Sequence, residues 1–180
     1  MKSAAGWVAR SAAAVALLLA VQTATGALGQ LATGSAVNFL LALCALAIGP
    51  GVAATAAVIS PVLAFLVGVG PAMVQVIPAI ALGNLAYVLL TAAIAWLWRK
   101  NVAKGQTVGN FAAVILSAAC KCALLYGLIV CWIAPSFLPE KALPVLTASF
   151  GIMQFFTAAI GGALAAAVTP LVKRAVSRRT

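Results

Sequence analysis

The chain has 180 residues, of which 66% are hydrophobic, and it carries a formal net charge of +10 and a mean hydropathy of +1.21. From Ser11 to Trp98 it contains no Asp, Glu, Lys, Arg or His. Charged side chains are costly in lipid and one span needs about 20 residues, so this run predicts several membrane crossings and excludes a soluble domain. The apolar runs are continuous rather than alternating, which argues against a membrane β-barrel.

Glycine, proline and basic residues divide the chain into six predicted helices within a single domain, residues 1–180. The tripeptide Gly49-Pro50-Gly51 predicts a tight turn between the second and third helices. Because of Pro78, the fourth helix is predicted to start either at Met73 or at Ala79. Pro144 suits the first turn of the sixth helix. The fold class is therefore predicted to be all-α, a polytopic bundle of six transmembrane helices. The predicted spans cover residues 7–28, 32–48, 52–67, 73–98, 108–132 and 144–172.

The first predicted helix is rich in alanines at helical spacing. Ala12, Ala16 and Ala20 are four residues apart and share one face, and Ala9 and Ala13 form an adjacent row. Rows of small residues let another helix approach closely in lipid, so this face is predicted either to dock on a partner protein or to pack inside the bundle. The basic start and apolar middle of the segment also fit a cleaved signal peptide, and the charge pattern leaves that alternative open.

Basic residues indicate the orientation of the bundle. Nine of the eleven Lys and Arg residues lie near predicted membrane edges on one side, which the positive-inside rule makes the cytoplasmic side. Both termini are therefore predicted to be cytoplasmic, in a multi-pass protein of the cell membrane whose basic edges also suit contact with anionic lipid headgroups. The same placement argues against a nucleic-acid partner. The nine residues are Lys2, Arg10, Arg99, Lys100, Lys104, Lys173, Arg174, Arg178 and Arg179.

Lys121 is the candidate site residue with the strongest physical argument. It lies near the middle of the fifth predicted helix, where an ionisable side chain is costly, and no predicted helix contains an acid to pair with it. An unpaired buried cation suits an anionic ligand group such as a carboxylate or a phosphate. One alternative is a lysine that extends along its helix to the membrane interface, but the distance from mid-helix is long. Another is a lysine that is neutral within the membrane.

Further polar side chains lie within or beside the predicted helices and together could line a pocket that opens outward. A mostly apolar cavity with a few oriented polar groups is typical of small-molecule sites. Each of these groups taken alone fits an interhelical hydrogen bond equally well. Counted from the external helix ends, the predicted substrate-binding residues are Lys121, Asn84 and Gln154 at similar depth, with Gln75, Asn38 and Tyr126 nearer the outside.

Several classes of function lack the residues they need. The chain has no His and a single acid, Glu140, so it offers no catalytic Ser/His/Asp or Cys/His set, and no metal site is expected. It contains no GxxxxGK[ST] motif, so ATP hydrolysis by this chain is not expected. We therefore predict a protein that is not an enzyme, with no catalytic residue, no metal and no cofactor.

Four features of the sequence act together: the alanine rows of the first helix, the segment GSAVNFLLALCALAIGPGVAATAAVISPVLAFLVG, the following IPAIALGNLAYVLL, and the basic inner edges. As an ensemble they resemble the substrate-binding S component of energy-coupling factor (ECF) transporters, which are ABC-type importers. The resemblance covers essentially the whole chain. It implies a prokaryotic membrane protein that captures a vitamin or related micronutrient from outside and docks through the alanines of its first helix on a transmembrane coupling subunit, which two ATPase subunits drive.

The same resemblance implies where the substrate would bind. In the family the pocket is built largely from helices 4 to 6 and the loop between helices 1 and 2. This favours Asn84, Lys121, Tyr126 and Gln154, with the segment from Gln30 to Ser35 as a candidate lid. The chain lacks the acidic residue expected for a cationic substrate, so a neutral or anionic organic molecule is the expected ligand.

Two other functions remain open from the sequence. A stand-alone secondary transporter would use the same pocket without partner subunits, although the absence of intramembrane acids and the small size count against it. A structural membrane subunit would have no ligand, and Lys121 would then contribute to stability or to lipid contacts.

Overall fold

The structure, a computed structural model, describes residues 4–102 and 105–177, with side chains up to residue 175. Within these residues the chain is helical apart from short connections and contains no strand. The basic residues Lys2, Lys104, Arg178 and Arg179, which the sequence places at the cytoplasmic edge, lie outside the described residues. The helices are α1 (Ala4–Thr25), α2 (Gln30–Leu43), α3 (Pro50–Leu66), α4 (Ile77–Asn101), α5 (Gln106–Leu125), α6 (Ala134–Phe137), α7 (Leu143–Phe150) and α8 (Ile152–Ser177).

Two of these helices continue through π-helical turns. A turn over Cys44–Ile48 extends α2 to Gly49, and one over Tyr126–Ile133 joins α5 to α6. By length and composition, five helical segments of the described chain can cross a membrane, while α3 is apolar but has only 17 residues. The all-α bundle with apolar membrane-spanning helices that the sequence predicts is therefore confirmed at this level.

The observed helix ends differ from the predicted ones in two informative places. The fifth helix, predicted to end near residue 132, continues to Phe137 because the π-helical turn passes Gly127 and Pro135 falls in the first turn of α6. The sixth, predicted as one helix over residues 144–172, is divided at Gly151. The Gly151 N–H donates to the Thr147 carbonyl at 2.9 Å and ends α7, and the Gly151 carbonyl accepts from the Gln154 N–H at 3.0 Å at the start of α8.

The six long helices close into a ring of neighbouring pairs. In order around the bundle, α1 packs on α3, α3 on α4, α4 on α5, α5 on α8, α8 on α2 and α2 on α1. One end of the bundle, here the α1–α2 end, holds the α1–α2 and α3–α4 connections and α7. The opposite end, here the α2–α3 end, holds the α2–α3 and α4–α5 connections. In the predicted topology these are the external and the cytoplasmic ends.

The first helix contacts the bundle with the face opposite its alanine rows. Ser11, Val15, Leu18 and Gln22 recur at helical spacing and are buried against the neighbouring helices. All five alanines predicted as a docking or packing face are exposed on the other side. Internal packing, one of the two predicted roles of these rows, is therefore not what the structure shows. The five exposed residues are Ala9, Ala12, Ala13, Ala16 and Ala20.

Candidate ligand-binding cavity

A cavity of about 570 Å³ opens at the α1–α2 end of the bundle. It lies between the start of α2, the end of α3, the start of α4 and the α7–α8 region, and Lys121 of α5 forms part of its wall. Its volume falls in the range of about 300–1,000 Å³ that small-molecule sites occupy. Most of its lining is apolar or glycine, so the few polar side chains determine what can bind there.

Lys121 is held by two amide oxygens from different helices. Its Nζ donates to Asn38 Oδ1 and to Asn84 Oδ1, each at 2.7 Å, and the side chain is only 3% exposed. Three helices therefore meet at one ammonium group: α2 through Asn38, α4 through Asn84, and α5. The side chain does not extend to the interface, which was one of the alternatives that the sequence left open.

The orientation of the Asn38 amide is fixed from its other side. Asn38 Nδ2 donates to the Gly34 carbonyl at 2.8 Å and to Thr157 Oγ1 at 3.4 Å, and Thr157 Oγ1 donates to the Gln154 carbonyl at 3.2 Å. Because the amide nitrogen is engaged in this way, the amide oxygen is presented to Lys121. The chain of hydrogen bonds joins α8 to α2 and then to α5, so the position of the lysine depends on the α2–α8 contact.

The cavity lining contains one basic side chain, Lys121, and no acid. An ammonium group has three N–H donors, and the two neutral amide oxygens use two of them. Glu140, the only acid of the sequence, lies exposed in the α6–α7 connection and does not line the cavity. Inside a low-dielectric bundle a ligand carboxylate or phosphate can supply the missing negative charge through a charge-assisted hydrogen bond.

Tyr87 packs its aromatic ring against the ammonium group of Lys121. Its ring centroid lies 5.4 Å from Lys121 Nζ, within the range of a cation–π contact, and the side chain is completely buried. The hydroxyl donates to the Ala158 carbonyl of α8 at 3.0 Å. Sequence reasoning missed this residue, although it lies three positions after Asn84 and therefore on the same face of α4.

The structure brings four of the six predicted site residues to one cavity. Asn38, Asn84, Lys121 and Gln154 all line it, and Asn38 lies at the depth of Lys121 rather than nearer the outside as predicted. Gln154 Nε2 donates to the Ser149 carbonyl at 3.0 Å, across the α7–α8 break.

The other two predicted residues lie elsewhere. Gln75 is exposed on the short helical turn before α4, and Tyr126, 43% exposed, lies on the bundle surface at the start of the π-helical turn. Neither lines the cavity. The displacement of Tyr126 follows from its position five residues after Lys121, which turns it well away from the lysine around the helix.

Three polar residues of the lining were not predicted: Gln22, Ser60 and Ser149. Gln22 and Ser60 are buried at the cavity wall. The signal for Gln22 was available, since it continues the spacing of the buried residues of α1 at a position where an apolar side chain is expected. The predicted lid, Gln30 to Ser35, is the first turns of α2 rather than a loop, and Thr33 Oγ1 donates to the Thr25 carbonyl at 2.7 Å.

Substitution of Tyr87 by phenylalanine separates the stabilising hydroxyl from the ring. The variant loses the hydrogen bond from the Tyr87 hydroxyl to the Ala158 carbonyl, so we expect a loss of roughly 1 kcal/mol in unfolding free energy. Because the aromatic ring keeps its contact with Lys121, ligand affinity is expected to change little. Thermal unfolding in detergent and ligand titration on the same sample check both halves of the prediction, and a large loss of affinity with unchanged stability would contradict it.

The α1–α2 end therefore offers a mostly apolar cavity in which the Lys121 side chain is held by two amide groups. Such a site can bind and release a small molecule, and none of the described residues that line it is His, Cys, Asp or Glu. Comparison of the chain with protein-family models, with curated proteins and with solved structures finds no match.

Proposed function

We propose that the chain is the membrane-embedded substrate-binding subunit of an ATP-driven importer of the ECF type. Its cargo is a vitamin or related micronutrient, a neutral or anionic organic molecule, captured from outside. In this proposal six helices cross the cytoplasmic membrane of a prokaryote with both termini in the cytoplasm. The observation that carries the proposal is the cavity of about 570 Å³ at the α1–α2 end with Lys121 in its wall.

The chemistry of the cavity supports this class of cargo. The lining contains one cation and no acid, which favours a carboxylate or phosphate on the ligand and disfavours a cationic ligand. The remaining polar groups are amides and hydroxyls such as Gln22, Ser60 and Gln154, which can hydrogen-bond to a neutral heterocycle or amide. The apolar walls would cover the rest of a small organic molecule.

The exposed alanine face of α1 supports dependence on a partner. Because Ala9, Ala13 and Ala16 face away from the bundle, another helix can approach the α1 backbone closely along them. In the proposed complex this helix belongs to the transmembrane coupling subunit, and two ATPase subunits supply the energy. A chain without a nucleotide-binding motif needs such partners for ATP-driven import.

Replacement of Ala16 by tryptophan tests this face. The side chain is exposed, so we expect the isolated protein to keep its unfolding temperature, whereas the bulky ring blocks close helix approach and is expected to abolish co-purification with the coupling subunit. Leu116→Trp, on an exposed position of α5, is the matched control and is expected to keep the complex. Equal loss of the complex in both variants would contradict a docking role for α1.

Reconstitution distinguishes the proposed subunit from a stand-alone transporter. The chain in liposomes is expected to bind the micronutrient but to accumulate none of it, and accumulation should require the coupling subunit, the ATPases and ATP. Uptake by the purified chain alone would replace the proposal with a secondary transporter.

A structural membrane subunit without a ligand is the second candidate, and one observation favours it. The two hydrogen bonds of 2.7 Å from Lys121 to Asn38 and Asn84 already join three helices, as a purely structural contact would. That candidate gives no reason for a cavity of this volume beside the lysine. It predicts that substitutions at Lys121 change stability and leave the affinity for every small molecule unchanged.

A further inference from the structure

A second cavity, of about 510 Å³, lies at the α2–α3 end of the bundle. It is bounded by the π-helical turn that ends α2, the start of α3, the last turns of α4, and Lys173 of α8. Its floor is formed by small side chains, among them Ala45, Ala92 and Ala95, which leave a groove between the larger residues beside them. None of its lining residues belongs to the cavity around Lys121.

One face of α4 runs along this groove, and its side chains change from apolar to aromatic and then basic along the helix. Leu89, Ala92, Ala93 and Trp96 follow the spacing of a single helix face, and Arg99 lies one turn further on. Leu89 and Trp96 are 44% and 53% exposed, so the groove is open to the side of the bundle, where the acyl chains of a bilayer would lie. The order of apolar, aromatic and basic residues is the order found from the membrane interior to its interface.

At the basic end of the groove, the positive charges meet no acidic side chain among the residues that the structure describes. Arg99 and Lys173 both line it and repel each other electrostatically. Lys100 adds a third cation nearby, with its Nζ 5.3 Å from the centroid of the Trp96 ring. The only acid of the chain, Glu140, is in the α6–α7 connection near the opposite end. An anion placed between Arg99 and Lys173 would relieve their repulsion.

We propose that this groove is a binding site for an anionic phospholipid. The phosphate group lies between Arg99 and Lys173, and one acyl chain follows the face of α4 from Trp96 towards Leu89. A lipid fits better than a soluble anion because the groove beside the two cations is apolar and open to the side. This site stands apart from the proposed micronutrient cavity and does not depend on it.

Lipid titration by native mass spectrometry of the full chain in mild detergent tests the site. Phosphatidylglycerol is the anionic probe and phosphatidylcholine with the same acyl chains is the neutral one. We expect phosphatidylglycerol to bind at least about fivefold more tightly, and Arg99→Gln and Lys173→Gln each to weaken it about fivefold, since a basic residue near a membrane surface contributes about that factor. Lys141→Gln removes one charge near the other end and is expected to have no comparable effect.

A groove-filling variant tests the apolar part of the site separately. Ala93→Phe places a ring in the groove and keeps every charge, so we expect it to weaken phosphatidylglycerol binding as strongly as either glutamine variant. Glycerol phosphate, which has the anionic group without acyl chains, should not displace the lipid. Equal affinity for the two lipids, equal effects of Lys141→Gln and Arg99→Gln, unchanged binding in Ala93→Phe, or displacement by glycerol phosphate would each overturn the proposal.

Discussion

Replacement of Lys121 by methionine is expected to weaken binding of the cavity's ligand by about 10- to 100-fold, the contribution of one hydrogen bond to a charged group. Methionine keeps an unbranched apolar stem of similar length and removes the ammonium group. The affinity is measured by calorimetric titration with the small molecule that co-purifies with the wild-type chain. Thr169→Val, which removes a buried hydroxyl from α8 away from the cavity, is the matched control and is expected to leave the affinity unchanged.

The stability of Lys121→Met does not by itself show whether the lysine binds a ligand, because the substitution has two opposing effects on the free energy of unfolding. Methionine removes a costly buried charge, but it leaves the Oδ1 atoms of Asn38 and Asn84 without their donor. Asn84→Asp resolves the question by placing a carboxylate at 2.7 Å from the same ammonium group. If Lys121 binds an anionic ligand, this internal anion should stabilise the empty protein and reduce ligand affinity. Undiminished affinity in both variants would contradict a ligand role for the lysine.

Substitution of Gly161 by alanine is expected to destabilise the protein by about 1–3 kcal/mol or more, the usual cost of excess volume in a packed interior. A Cβ at this position would collide with the backbone of α2, meeting the Ser35 carbonyl oxygen and lying 2.6 Å from the Phe39 nitrogen. Backbone atoms cannot move aside as a side chain does, so α2 and α8 must separate. Unfolding temperature in detergent measures the effect.

The matched control for that variant is Gly127→Ala. A Cβ on Gly127 meets no atom within 4 Å, so we expect its unfolding temperature to stay near that of the wild type. Because α2 carries Asn38, separation of α2 from α8 should also disturb the contact with Lys121 and lower ligand affinity in Gly161→Ala. Equal stability of the two alanine variants would show that the helices do not approach as closely as the structure has them.

The membrane-embedded helical architecture could be predicted from the sequence because lipid imposes a strong constraint. The absence of charge from Ser11 to Trp98 and the helix break near Gly49 and Pro50 are visible without a structure, although α3 begins at Pro50 rather than at residue 52 as predicted. The division at Gly151 could not be predicted, since a single glycine in an apolar run is tolerated within many helices. The continuation of the fifth helix through a π-helical turn likewise leaves no composition signal.

The candidate site was only partly predictable, for a geometric reason. An intramembrane lysine is exceptional, so Lys121 stands out from the sequence alone. Which polar residues meet it depends on the order of the helices around the bundle, and one sequence does not contain that order. Asn38 was therefore predicted too near the outside, and Tyr126 was predicted as a site residue. Tyr87 was missed, although its ring packs against the ammonium group of Lys121.

The role of the alanine rows was likewise only partly predictable from the sequence. Small residues on a helix allow close packing, but they do not say whether the neighbour belongs to the same chain. The structure answers part of that question, because α1 packs inward through Ser11, Val15 and Leu18 and leaves the alanines exposed. A partner helix remains a proposal that the Ala16→Trp variant tests.

Native mass spectrometry of the purified full chain tests most directly whether the cavity around Lys121 binds a small molecule. We expect one small organic molecule to be retained per chain, directly or after incubation with a panel of water-soluble vitamins, and to be lost in Lys121→Met. The measured mass would also identify the substrate class. A wild-type chain that stays empty through the whole panel, or one whose bound molecule is retained equally by Lys121→Met, would contradict the account and favour a structural subunit.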